Sequence, residues 1–308
     1  MIGWLIGTAL AALGLIALLS PLESLRWWST VGARRTRGLT AAVAAPVARQ
    51  ASHPHYVVYL SGVGLLDNHE IPQEEAYFCA RLEESSGVPV VSDVFPYAVD
   101  NRGLLHRASA WFWRIMGTLQ SNPRTAALSI WIQFRNCLQV LISADPRYGP
   151  TYHAGLAQQV WAALERRGHR AGIPVTIVGY SGGAQMALGV ASFLSLMEVP
   201  CRIVSVGGVY SGDPGFSTIS DFWDIRGGRD RLRLMGQVAF PSRWGLLRSS
   251  PWNQARADGR VHLIDAGSQV SHFDAGSYFD ASATLPDGRS HAEALVERVT
   301  ALVAAPRR

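Results

Sequence analysis

From His55 onward the chain alternates short apolar runs with longer stretches of helical pattern, and no other feature constrains its fold as much. The runs "HYVVYLSG" (55–62), "VPVVSDVF" (88–95), "PVTIVGY" (174–180), "CRIVSVGGVY" (201–210), "DFWDIRGG" (221–228) and "RVHLIDAG" (260–267) are rich in β-branched or aromatic residues and bounded by Gly, Pro or polar residues, the pattern of buried strands. Between and after them lie helical stretches. "PQEEAYFCARLEES" (72–85) opens with Pro and acids and carries Ala76, Phe78, Cys79 and Leu82 on one side. Residues 182–196 form a second helix. Residues 290–304 form the last, with Ser290 as its cap and Glu293 at the capping-box position. Near-continuous apolar strands alternating with helices predict an α/β fold, with a mostly parallel central sheet covered by helices on both faces. Chemistry in such sheets sits at the carboxyl ends of the strands.

One connection is too long for a single crossover. About 75 residues separate the second and third expected strands. They hold "LLHRASAWFWRIMGTL" (104–119), "TAALSIWIQFRNCLQVLIS" (125–143) and "TYHAGLAQQVWAALERRG" (151–168). The last is the expected crossover helix, and the first two read as a helical insertion at about 98–150. They form either additional core helices or a cap or lipid-facing surface over the site. Arg135, Asn136 and Gln139 make the second stretch a poor membrane span.

The N-terminus has a different character. Ile2 to Leu19 is free of charge over 18 residues, about 27 Å as a helix and close to a hydrocarbon core. The alternative is a cleaved signal peptide. No basic residue precedes the run and no small-residue cleavage site directly follows it, which favours an uncleaved transmembrane anchor over 1–20. Trp27 and Trp28 suit the membrane interface. The linker 21–52 carries Arg26, Arg34, Arg35, Arg37 and Arg49 against Glu23, so the positive-inside rule puts the following domain (53–308) in the cytoplasm.

Composition narrows the function. The net charge of +5 is concentrated at this N-terminal flank, and no basic stripe, zinc-finger spacing or aromatic RNA-binding signature appears, so nucleic acid is not an expected partner. Cys79, Cys137 and Cys201 are far apart and odd in number, giving neither a disulfide framework nor a zinc site. No metal or organic cofactor is implied.

Chemistry enters with Gly179-Tyr180-Ser181-Gly182-Gly183, which fits G-x-S-x-G. In a chain with 30 Gly the pattern alone says little, but here it lies directly after an expected strand and directly before an expected helix, the context of a nucleophile elbow. The small neighbours let strand and helix approach, and the Gly182 N–H lies at a helix N-terminus, where a developing oxyanion is favoured.

With this elbow the chain resembles the α/β-hydrolase superfamily over roughly residues 55–304. The resemblance implies the chain order nucleophile, acid, histidine, each on a loop after a later strand. Gly228-Arg229-Asp230 after the fifth strand is where the family keeps its acid, which makes Asp230 the first choice. Asp213 in "YSGDPG", after the preceding strand, is the alternative acid. His272 in "GSQVSHFDAG" follows the last strand in the right order, whereas His262 lies in that strand and His291 in the final helix. The second oxyanion donor is implied on the loop after the first strand, at the N–H of Gly62 or Val63 in Leu60-Ser61-Gly62-Val63-Gly64. The resulting expectation is a membrane-anchored serine hydrolase that cleaves a carboxylic ester, with a lipid-like ester as the narrower expectation, through Ser181, His272 and Asp230 and an acyl-enzyme. An acyltransferase on the same fold and a non-catalytic membrane-anchored scaffold are the alternatives.

Overall fold

The computed structural model describes Gly7 and residues 53–66, 71–98, 110–120, 130–273 and 275–306. Apart from Gly7, the expected anchor (1–20) and linker (21–52) lie outside the described residues, as do parts of the insertion. Among the described residues no helix is long and apolar enough to cross a membrane.

The elements follow the expected alternation. In chain order they are β1 (Tyr56–Leu60), α1 (Gln73–Ser86), β2 (Val90–Val91), α2 (Ala110–Gln120), α3 (Ile130–Ala144), α4 (Gly149–Arg166), β3 (Val175–Tyr180), α5 (Gly183–Ser195), β4 (Cys201–Val206), β5 (Phe222–Gly227), α6 (Leu232–Ala239), α7 (Pro251–Ala257), β6 (Val261–Gly267) and α8 (His291–Ala304). The strands form one sheet in the order β2-β1-β3-β4-β5-β6, and every neighbouring pair is parallel. Alternate residues of β1 serve opposite faces. Tyr56, Val58 and Leu60 join a core with Leu156, Val160, Leu188 and Ala191 of α4 and α5. Val57 and Tyr59 join another with Phe78 and Leu82 of α1 and Leu295 and Val299 of α8. This period of two is what a sheet covered on both faces requires. Helix α8 begins with the expected capping box: Ser290 Oγ accepts from the Glu293 N–H, and the Glu293 carboxylate accepts from the Ser290 N–H.

Three expectations change. The strand expected over 88–95 pairs only at Val90–Val91, because the chain then leaves the sheet edge and Val94, Phe95 and Tyr97 pack into the core beside the inserted helices. The segment between β5 and β6 carries α6 and α7, which the sequence reading passed over. The inserted helix α3 departs from ordinary amphipathicity, burying polar residues alongside Ile132, Val140 and Ile142. Its polar Arg135, Asn136, Gln139 and Ser143 are buried, whereas its apolar Ile130, Phe134 and Leu141 are exposed.

The chain runs from β1 out to β2 and returns to the other side of β1 as β3. The sheet order therefore reverses between β1 and β3, and the loops leaving these strands flank the crevice where parallel sheets place ligands. Leu60 is paired with Gly179, so Ser61 and Gly62 leave the sheet beside Tyr180 and Ser181.

Candidate active site

Ser181 is the first residue after β3, and its φ of 52° lies in the left-handed region that residues with a side chain rarely adopt. Backbone bonds to the next strand's exit hold it there. Its N–H donates to Val206 O at 3.0 Å, and its carbonyl accepts from Val209 N at 3.0 Å. The glycines explain how so sharp a turn can exist. A Cβ at Gly179 would meet Ala184 Cα and N at 2.6 Å, and one at Gly183 would sit on the Leu60 carbonyl oxygen. Only glycine lets β3, α5 and β1 pack this closely.

His272 lies on the loop after β6. Its Nε2 is 2.9 Å from Ser181 Oγ. Its Nδ1 is 2.9 Å from Asp230 Oδ2. A carboxylate only accepts, so Nδ1 carries the proton and Nε2 is left to accept the serine hydroxyl. All three side chains are buried.

Asp230 is held from four sides. Its Oδ2 also accepts from the Tyr278 hydroxyl at 2.8 Å, and its Oδ1 accepts from Leu232 N at 3.0 Å and Arg233 N at 3.3 Å in the first turn of α6. Burial alone would raise this carboxyl. The hydrogen bond and charge of His272, with the Tyr278 and Arg233 hydrogen bonds, outweigh it and hold Asp230 below the ordinary aspartate value. Tyr278 in turn accepts from Gly227 N at 2.7 Å, and its phenol is pushed well up by burial and by the charge of Asp230.

The alternative acid is elsewhere. Asp213 Oδ2 accepts from Gln185 Nε2 at 2.8 Å, and its Oδ1 accepts from Gly215 N at 2.8 Å, capping a 3-10 turn over Pro214–Ser217. Asp224 is bound within the sheet by Ser205, Tyr210 and Arg226. His262 pairs with Asp221, and His291 opens α8.

Gly62, Val63 and Gly182 come together beside Ser181. A Cβ at Gly62 would lie 3.5 Å from Ser181 Cβ, and one at Gly182 would lie 2.9 Å from Val63 Cγ1. Among the described residues the N–H groups of all three donate no hydrogen bond. Gly62 and Gly182 are buried and Val63 is half-buried, and unpaired donors at buried positions are rare unless something else is to occupy them.

Two contacts escaped the sequence reading. Tyr278 lies 48 positions from Asp230 and has no local signature. Tyr180, the middle residue between the elbow's first Gly and its Ser, stacks on the His272 ring at 5.2 Å and donates its hydroxyl to His272 O at 2.6 Å. One further buried acid lies behind the site. Glu75, in the first turn of α1, accepts from the Tyr59 hydroxyl at 2.7 Å, and burial pushes its carboxyl up to about 7 despite that hydrogen bond. Among the described residues no group of three His, Cys, Asp or Glu side chains could hold a metal ion.

No family model and no curated protein matches the chain. Among solved structures it is similar to a dienelactone hydrolase-like promiscuous phosphotriesterase from metagenomic libraries, with 16% identity, 83% of this chain and 86% of that chain covered, and a TM-score of 0.45. It is also similar to carboxyl esterase 2 from the mycorrhizal fungus Tuber melanosporum, with 11% identity, 81% of this chain and 77% of that chain covered, and a TM-score of 0.44. What the site can do follows from its own geometry.

Proposed function

We propose that the chain is a serine hydrolase acting on a carboxylic ester through an acyl-enzyme. The observation that carries this reading is the buried relay from Asp230 through His272 to Ser181, with both links at 2.9 Å. His272 Nε2 takes the proton as Ser181 Oγ attacks the ester carbonyl. Asp230 keeps Nδ1 protonated and balances the imidazolium that forms. The N–H groups of Gly182 and of Gly62 or Val63 receive the oxyanion, where one donor is typically worth about 10²–10³ in rate. The imidazolium returns its proton to the leaving alkoxide. Water then attacks the acyl carbonyl as His272 takes its proton, and the imidazolium returns that proton to Ser181 Oγ as the acyl–oxygen bond breaks and the carboxylic acid leaves.

A lipid-like substrate and attachment to a membrane belong to the same proposal. The uncharged run at 2–19 and its Arg-rich flank support the anchor, with the domain on the cytoplasmic side. Exposed apolar side chains on the inserted helices and near α6, among them Trp111 (66% exposed), Ile115 (50%), Val238 (74%) and Leu246 (90%), support an apolar ester. A fluorophosphonate probe tests the core of the reading. It should label the wild-type protein, and folded Ser181→Ala and His272→Ala variants should stay unlabelled. Labelling that survives Ser181→Ala would refute the assignment.

A further inference from the structure

The inserted helix α3 faces the site with its polar side, and what that side grips is the backbone of the loop after β1. Asn136 is fully buried. Its Nδ2 donates to Val63 O at 2.9 Å and to Leu65 O at 2.8 Å. Its Oδ1 accepts from Arg135 Nη1 at 3.1 Å, and Arg135 also donates to Tyr97 O. Two carbonyls on one end and a guanidinium on the other leave a single orientation for the amide, so both of its N–H groups point at the loop. Tyr97 adds a third hold, its hydroxyl donating to Ser61 O at 2.8 Å. The loop also closes on itself, with Leu65 N donating to Gly62 O at 3.2 Å.

We infer that Asn136, with Tyr97, is a positioning residue that aims the Gly62 and Val63 N–H groups at the oxyanion, so that the insertion serves the reaction as a clamp on the oxyanion loop. The inference rests on the reading of Ser181 as the nucleophile. Its physical basis is the planarity of the trans peptide, in which an N–H points opposite to the carbonyl of the residue before it. The Gly62 N–H therefore points away from the Ser61 carbonyl that Tyr97 holds. The Val63 N–H likewise points away from the Gly62 carbonyl that Leu65 holds, and Asn136 fixes that turn through Val63 and Leu65. Both N–H groups are among the three that donate no hydrogen bond. Val140, one turn beyond Asn136, packs where a Gly182 side chain would be, which ties the same helix to the other proposed donor. A buried amide so fully satisfied is costly to remove, but its cost in stability and its effect on the reaction are separable.

The experiment compares second-order fluorophosphonate labelling rates and hydrolysis of a short p-nitrophenyl ester for wild type, Asn136→Leu, Tyr97→Phe and Val299→Ala. Val299 lies in α8 on the other face of the sheet and controls for lost core packing. Asn136→Leu is expected to slow labelling and kcat together by on the order of 10²-fold with KM near wild type, because one misplaced donor is felt in the transition state and not in substrate binding. Tyr97→Phe should slow both less. Val299→Ala should lower Tm and leave both rates intact. A folded Asn136→Leu protein that labels at the wild-type rate overturns the inference, as does a loss no greater than that of Val299→Ala. If Asn136→Leu does not fold, wild-type rates in Tyr97→Phe overturn it. A wild-type protein that is not labelled at Ser181 refutes the underlying reading itself, an outcome distinct from a labelled wild type with an indifferent Asn136.

Discussion

Replacing Glu75 by Gln should flatten the pH dependence of stability between about pH 4.5 and about pH 7. Glu75 is buried under β1, where the Tyr59 hydroxyl donates to it, and loss of hydration raises its carboxyl from the ordinary 4.5 to about 7 against the Ser61 and Tyr59 hydroxyls, which pull it down. In that window the native state keeps a proton that the unfolded chain has released. Fewer protons are bound by the unfolded state, so unfolding free energy falls as pH rises. The loss begins near 4.5, is complete near 7 and then stays constant. A gap of about 2.5 units at about 1.36 kcal/mol per unit amounts to roughly 3 kcal/mol, an upper value because a buried carboxylate recruits water. Gln fills the same volume, can still accept from Tyr59 and does not ionise. Urea midpoints at several pH values from 5 to 8 give the test. The difference between the wild-type and Glu75→Gln curves should fall steadily up to about pH 7, with the wild type losing ground. Parallel curves would mean that Glu75 is not protonated in the native protein at pH 6, and the burial argument would fail.

Tyr278→Phe removes one hydrogen bond to Asp230 and leaves the Gly227 N–H buried without its acceptor. It should cost about 1–3 kcal/mol in stability and reduce the probe-labelling rate, read by denaturant melts and time-resolved labelling. The two acids should separate cleanly. Asp230→Asn should cut labelling by about 10⁴, whereas folded Asp213→Asn should label at close to the wild-type rate while melting lower, because it only loosens the Gln185 and Gly215 contacts. Equal losses in both variants would refute the assignment of the acid.

The convergence of Ser181, Asp230 and His272 was legible because each position is announced locally. Gly179 and Gly183 stand where side chains would collide with backbone, and Asp230 and His272 each follow a strand that can be read from a few residues. Which of Asp230 and Asp213 meets His272 was a choice the sequence could narrow but not make, since it turns on which carboxylate reaches the imidazole, and Asp230 does so across 42 positions. Tyr278 and Asn136 were illegible for the same reason. A tyrosine before Phe279 and an asparagine in an aromatic helix have no local mark of what they hold. Asn136 and its neighbours were noted only as residues unsuited to lipid. Their burial follows from carbonyls displayed by a loop more than seventy positions earlier. Helix α6 was missed because its apolar residues Leu234, Met235 and Val238 face outward, so no core-facing stripe marks it.

The contact between Tyr180 and His272 sets a limit on how the molecule can drift. A histidine on a surface loop would ordinarily wander with every insertion or deletion around it. Here its carbonyl and its ring are both held by Tyr180, the residue next to Ser181, on a strand at the centre of the sheet. The register between the Ser181 and His272 side chains is thus set within a single dipeptide. The rest of the loop, Tyr278 apart, is released from that duty and can change in length or sequence around a fixed imidazole, so the rim of the crevice can be remodelled without disturbing the contact between Ser181 and His272.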